Sequence, residues 1–136
     1  MRLSEHKKHK LFGIVQGGSY DDLRQECTTR LVEIDFDGYA VGGVSVGEPE
    51  DEMLRAIEAA VPGLPQDKPR YAMGLGTPRQ LVEMVARGID MFDCVLPTRV
   101  ARTGVAYTKT GYLQVGAGRF KSDPLPIEEG CLCYAC

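Results

Sequence analysis

Leu11-Phe12-Gly13-Ile14-Val15-Gln16-Gly17-Gly18 decides the fold: an apolar run of strand formers stops on a glycine pair and gives way to a helical pattern. Ser19 is expected to cap that helix. From Tyr20 to about Ile34, the apolar residues Leu23, Cys27, Leu31, Val32 and Ile34 recur near helical spacing, with Asp21 and Asp22 in the first turn where the helix dipole favours anions. The same unit then repeats. Tyr39-Ala40-Val41 reads as a strand closed by Gly42-Gly43, and Pro49 opens a helix carrying Met53, Leu54, Ile57 and Val61 on one side, ending at Pro62-Gly63. Arg70-Tyr71-Ala72-Met73 is a third strand, followed by Gly74-Leu75-Gly76 and a helix that Thr77 caps and Pro78 starts. Its residues Leu81, Val82, Val85 and Ala86 are expected to face the core. Ile89 to Leu96 reads as a fourth strand, with Asp93 toward its C-terminal end.

A β-α-β-α-β-α-β order at a spacing of roughly 25 residues calls for a parallel sheet with helical crossovers. Each strand leads into glycines or an aspartate at its C-terminal end, where parallel α/β folds build their sites. Half of a (β/α)8 barrel and an open doubly wound sheet both satisfy the pattern. Beyond Leu96 the character changes. Val105 to Thr108, a turn at Lys109-Thr110-Gly111, and Tyr112 to Val115 form a β-hairpin. The expected organisation is a basic lead-in at 1–10, an α/β part at 11–98, and a hairpin-containing part at 99–136.

The chain has 136 residues, 43% hydrophobic, with a net charge of −3, enough apolar material for one compact core. No run approaches the roughly 20 apolar residues of a membrane span, and residues 1–10 lack the apolar segment of a signal peptide, so a cytoplasmic protein is expected. The charge is unevenly spread: between Cys94 and Ser122 there is no acidic residue, while Arg99, Arg102, Lys109, Arg119 and Lys121 fall there. Such a segment suits phosphate contacts, although a solvated hairpin has the same composition. Cys131, Cys133 and Cys136 form C-x-C-x-x-C, a spacing that suits thiolates converging on Zn2+ better than disulfides. A structural zinc site takes four ligands. The fourth comes from His6, His9, Cys27 or Cys94, or lies beyond the end of this sequence, and the latter reading is preferred. Asp93 reads equally as a nucleophile or as a carboxylate that caps the following turn or pairs with Arg99, and Asp90 as a turn or helix-end carboxylate.

Five motifs occur in one order: Gly13-Ile14-Val15-Gln16-Gly17-Gly18, Phe36-Asp37-Gly38-Tyr39-Ala40-Val41-Gly42-Gly43, Tyr71-Ala72-Met73-Gly74-Leu75-Gly76, Phe92-Asp93-Cys94-Val95-Leu96-Pro97-Thr98-Arg99, and Cys131-Leu132-Cys133-Tyr134-Ala135-Cys136. Together they resemble the tRNA-guanine transglycosylases of the bacterial type, over nearly the whole chain from Leu11 onward. The resemblance implies about the last four strands of a TIM barrel with a β-hairpin and a zinc-binding insertion. The implied reaction exchanges guanine at wobble position 34 of tRNAs with a G-U-N anticodon for preQ1, a 7-deazaguanine, on the way to queuosine.

Under that resemblance Asp93 is the nucleophile, forming a covalent ribosyl intermediate. Gln16, Gly43, Val44, Tyr71 and Met73 fall at base-binding positions. Val46 goes with preQ1 rather than bulkier queuine, and Glu48 helps to set a nearby peptide. The segments Gly74, Leu75, Gly76, Thr77, Pro78, Arg79, Gln80 and Thr98, Arg99, Val100, Ala101, Arg102 match RNA-contacting positions. Cys131, Cys133 and Cys136 match zinc ligands, and the family acts as a homodimer. A second catalytic aspartate and a zinc-completing histidine are expected outside this sequence, so the 136 residues alone are expected to be inactive. The alternative is a non-catalytic tRNA-binding or accessory paralogue.

Overall fold

The computed structural model describes residues 9–45 and 47–136, so Val46 and the run 1–8 lie outside the described residues. The chain divides into two compact units, Met1–Cys94 and Val95–Cys136.

In the first unit, β1 (Phe12–Val15), β2 (Gly38–Val41), β3 (Arg70–Ala72) and β4 (Met91–Phe92) form one sheet in that order, all parallel. Helices α1 (Asp21–Ile34), α2 (Glu50–Ala60) and α3 (Pro78–Ala86) provide the crossovers. The α/β class and parallel sheet expected from the repeat are present. The core lies between sheet and helices, where Val15, Val41, Ile57, Ala72, Leu75 and Met84 are all buried. The strand starts are fixed by carboxylates: Asp37 accepts from the Leu11 backbone N–H at 3.0 Å and Asp90 from the Arg70 N–H at 2.9 Å. Asp90 thus caps the start of β3 rather than a helix end.

Four local expectations are corrected. Tyr20, not Ser19, occupies the N-cap of α1, with no side-chain cap bond. On α1, Leu23 and Ile34 are exposed, and the buried residues are Arg24 and Thr28. Cys27, Leu31 and Val32 flank them against the core. Helix α3 is rotated from the expected phase, so Leu81, Val82, Val85 and Ala86 lie outward and Met84 is fully buried. The cause is its start. Thr77 and Gln80 form a reciprocal capping box, and the Gln80 Nε2 meets Met53 Sδ at 3.8 Å, which turns positions 80 and 84 toward α2. Finally, β4 has two residues, because Leu96 already opens the next helix after Val95.

The second unit contains α4 (Leu96–Arg102) and an antiparallel pair, β5 (Val105–Thr108) and β6 (Gly111–Gln114), joined at Lys109-Thr110. The hairpin was expected at this place. Lys109 holds Glu128 through an ion pair of 3.2 Å, tying the hairpin turn to the segment that leads into the cysteines. Among the described residues no helix is long and apolar enough to cross a membrane.

Candidate functional site

Four consecutive strands end at the same edge of the sheet, where they lead into Gln16 after β1, Gly42 after β2, Met73-Gly74 after β3 and Asp93 after β4. Parallel strands bring these ends into a row by geometry alone. Asp93 is exposed, and its Oδ1 accepts from the Tyr71 hydroxyl at 2.5 Å and from the Gly74 backbone N–H at 2.9 Å. These two donors hold its carboxyl below the usual carboxylate range, the Tyr71 bond first. The same bond pushes the Tyr71 phenol upward. Asp93 is therefore an ionised, oriented carboxylate at the open end of the sheet.

The Gln16 side chain lies across the Gly42-Gly43 backbone. A Cβ on Gly42 would fall 2.5 Å from Gln16 Nε2, and one on Gly43 would fall 3.2 Å from its Oε1. No larger residue at Gly42 permits that approach. Gly43 also adopts φ +63°, in the left-handed region. The backbone of Gln16 is held from the other side by α1, its N–H reaching Cys27 Sγ at 3.4 Å. Cys27 thus has a packing role next to the site. Further along, a Cβ on Gly74 would collide with Ser45 Oγ, so the loops after β2 and β3 touch.

The structure brings Asp93, Tyr71 and Gly74 into one hydrogen-bonded group, and Gln16 and Gly43 into one packed group. Met73 is half-buried. The Val44 side chain is buried at 1% exposure, so only its backbone can face a ligand, and the same holds for Leu75. Glu48 is half-buried at the rim of a cavity of about 430 Å3 between the loops after β2 and β3, lined also by Ser45, Glu50, Arg79 and Gln80. Neither Asp93 nor Gln16 lines that cavity. Gln80 Oε1 accepts from Gly76 and Thr77, so its amide stabilises the loop. Arg79 is exposed and pairs with Glu50 at 3.3 Å.

Sequence reasoning missed Arg24. It is completely buried, and its Nε donates to Gly18 O at 2.7 Å, its Nη1 to Gly42 O at 3.1 Å and its Nη2 to Gly43 O at 3.1 Å. One guanidinium thus clamps both glycine turns. Burial lowers its pKa, opposed by the negative charge of Glu48. The only signal in the sequence was the presence of two glycine turns whose carbonyls need donors.

In the second unit, Thr98, Arg99, Ala101 and Arg102 are exposed on α4 and Val100 is half-buried. The Thr98 hydroxyl turns back to Val95 O at 2.9 Å. Arg99 and Arg102 lie in the last turn of α4, where the helix dipole favours cations. The ligand atoms of Cys131, Cys133 and Cys136 lie within 4.8 Å of one another and form a cluster that can hold a metal ion. Tetrahedral zinc–thiolate bonds of about 2.3 Å place sulfurs roughly 3.8 Å apart, so a small closure fits the three to one ion. Cys133 is held below the usual thiol range by the Cys136 backbone N–H, then by the neighbouring thiols, while Cys136, against a backbone hydrogen bond at Glu128, is pushed above it by burial and by those same thiols.

A parallel α/β unit with an oriented carboxylate at its strand ends, followed by a hairpin unit with a three-thiol cluster, defines the class. The sequence matches the queuine tRNA-ribosyltransferase family over residues 1–136, and the chain belongs to that family. It is 57% identical over 129 residues to a queuine tRNA-ribosyltransferase of Syntrophobacter fumaroxidans, covering 95% of this chain and 35% of that protein. It is 55% identical over 139 residues to one of Natranaerobius thermophilus (99% and 38%), and 52% over 126 residues to one of Francisella tularensis subsp. novicida (93% and 34%). The chain therefore spans little more than a third of the length of these relatives.

Proposed function

We propose that this chain carries the nucleophile half of a tRNA-guanine transglycosylase site, on about four strands of a TIM barrel. The observation that carries the reading is Asp93, ionised and exposed at a strand's C-terminal end, with Oδ1 held by Tyr71 and Gly74. In this reading Oδ2 attacks C1′ of nucleotide 34, and guanine departs with the electron pair of the glycosidic bond. N9 of preQ1 then attacks C1′, displacing the carboxylate. Two inversions at one carbon retain configuration. The proton that N9 of preQ1 loses balances the one that the departing guanine takes up.

Gln16 and the backbone of Gly43 and Val44 read the base, since an amide side chain and peptide groups supply the donors and acceptors a guanine-like edge needs. Tyr71 and Met73 border it, with Tyr71 also orienting Asp93. Val46 and Glu48 are assigned to selectivity for preQ1. Residues 74–80 contact tRNA through backbone and Arg79. Arg99 and Arg102 contact it through forked bonds to bases or phosphates, with Thr98, Val100 and Ala101 forming their helix. Cys131, Cys133 and Cys136 would hold Zn2+, which when bound cross-links the hairpin unit and does no chemistry. Homodimerisation, a G-U-N anticodon and a cytoplasmic setting belong to the same reading.

The test places these residues in the corresponding third of the Syntrophobacter fumaroxidans relative and follows labelled guanine into tRNA. Incorporation that disappears with Asp93→Ala supports the reading. Incorporation that survives this change refutes Asp93 as nucleophile, and tRNA binding without incorporation favours the accessory paralogue.

A further inference from the structure

We infer that Arg24 is a positioning residue for base recognition, orienting two successive peptide groups so that their N–H bonds point out of the protein toward the base. This rests on the base-binding reading of Gly43 and Val44. In a trans peptide the C=O and the following N–H point in opposite directions, and the described residues contain no cis peptide. Arg24 Nη1 draws Gly42 O inward, so the N–H of Gly43 points away from the guanidinium. Arg24 Nη2 draws Gly43 O inward, so the N–H of Val44 also points away. Neither peptide can turn over without leaving a carbonyl and a guanidinium N–H unsatisfied beside a fully buried arginine.

The electrostatics reinforce the geometry. The two peptide dipoles are each polarised at their oxygen end by a buried cation, which strengthens the N–H end as a donor. A pair of such donors fits a carbonyl oxygen that gains negative charge as a purine base departs. The third bond, from Nε to Gly18 O, anchors the same guanidinium to the turn that follows Gln16, so one side chain sets the spacing between the amide and the peptide donors. Lysine keeps the charge but has one nitrogen and cannot hold three carbonyls in a planar fork.

The test is preQ1 titration into the full 136-residue chain, followed by amide NMR, for wild type and Arg24→Lys, under conditions where urea melts show both folded. The wild type should shift the Gly43 and Val44 amides on binding. In Arg24→Lys the dissociation constant should rise about tenfold or more, the loss of one or two charge-assisted bonds. The Thr77–Gln80 cap amides should stay in place. A purely structural role would lower the urea midpoint and leave the affinity of the folded variant unchanged, which overturns the inference alone. Wild-type chain that shows no preQ1 shifts at all overturns the base-site reading and the inference with it. Arg24→Met serves as the stronger variant wherever it remains folded.

Discussion

Gly17 and Gly18 stand side by side between β1 and α1, yet replacing each by alanine should have very different consequences. At Gly17, φ is +148°, and a new Cβ would sit 2.7 Å from the Arg24 backbone N, 2.8 Å from Arg24 Cγ and 3.0 Å from the Leu23 carbonyl carbon. Two of these atoms are main chain of α1, so relief requires moving the helix. Overpacking of this kind costs about 1–3 kcal/mol, and the disfavoured dihedral about 1–3 kcal/mol more. Gly17→Ala should therefore lose about 2–6 kcal/mol, a large part of the roughly 5–15 kcal/mol that holds a domain. At Gly18, φ is +59°, and the nearest atom to a new Cβ is Tyr20 Cδ2 at 3.8 Å, ordinary contact. A left-handed alanine costs about 1–2 kcal/mol, offset by about 0.4–1 kcal/mol from its less flexible unfolded chain. Gly18→Ala should thus lose about 0–1.6 kcal/mol. Urea denaturation followed by circular dichroism separates the two. With a slope near 2 kcal/mol/M, Gly17→Ala lowers the midpoint by about 1–3 M and Gly18→Ala by at most about 0.8 M. Equal midpoints would refute the argument that Gly17 is set by the approach of α1.

Tyr71→Phe should move the Asp93 titration, read by carboxyl 13C NMR, upward toward the ordinary 3.8, because the first of its two stabilising donors is gone; an unmoved titration would refute the bond. Asp37→Asn should flatten the acid arm of the stability curve. The Leu11 N–H and then Lys10 depress the folded Asp37, so its contribution is complete above pH 3.8 and is lost as pH falls through the lower folded value; acid melts of wild type and variant that coincide would count against it. Thr77→Ala removes half of the capping box and should cost about 1 kcal/mol in a urea melt. Adding a strong zinc chelator to zinc-loaded chain should loosen amides of 105–136 and leave those of β2 unmoved. Unchanged hairpin amides would remove zinc from the cysteine cluster.

The strands were legible because glycines and an aspartate punctuate each apolar run at its C-terminal end, while their order in the sheet was left open between half a barrel and a doubly wound sheet. The same pattern marked Asp93 as a carboxylate at a strand end, but the roles given to Asp93, Gln16 and Gly43 came from the resemblance of the motifs to a family and not from the pattern. Arg24 was not legible. A cation within an amphipathic period reads as solvent-facing, and only the carbonyls of two distant glycine turns make its burial favourable. The phase of α3 was likewise hidden, because Val82 and Val85 are as apolar as Met84, and the decision fell to a capping box and one amide–sulfur contact. The shortness of β4 reflects competition: Val95 and Leu96 favour a strand by composition, yet Pro97 suits the first turn of a helix.

Asp93 follows the shortest strand of the sheet, which meets only β3 and shares two residue pairs with it. Cooperativity in a sheet grows with the ladder, so this edge is where sub-global opening should cost least, and the Met91 and Phe92 amides should exchange with solvent sooner than those of Ala40 and Val41. The carboxylate therefore owes its place to two hydrogen bonds more than to its strand. Whatever binds beside it must also quench that local breathing, and part of the binding enthalpy will reappear as slowed exchange along β4.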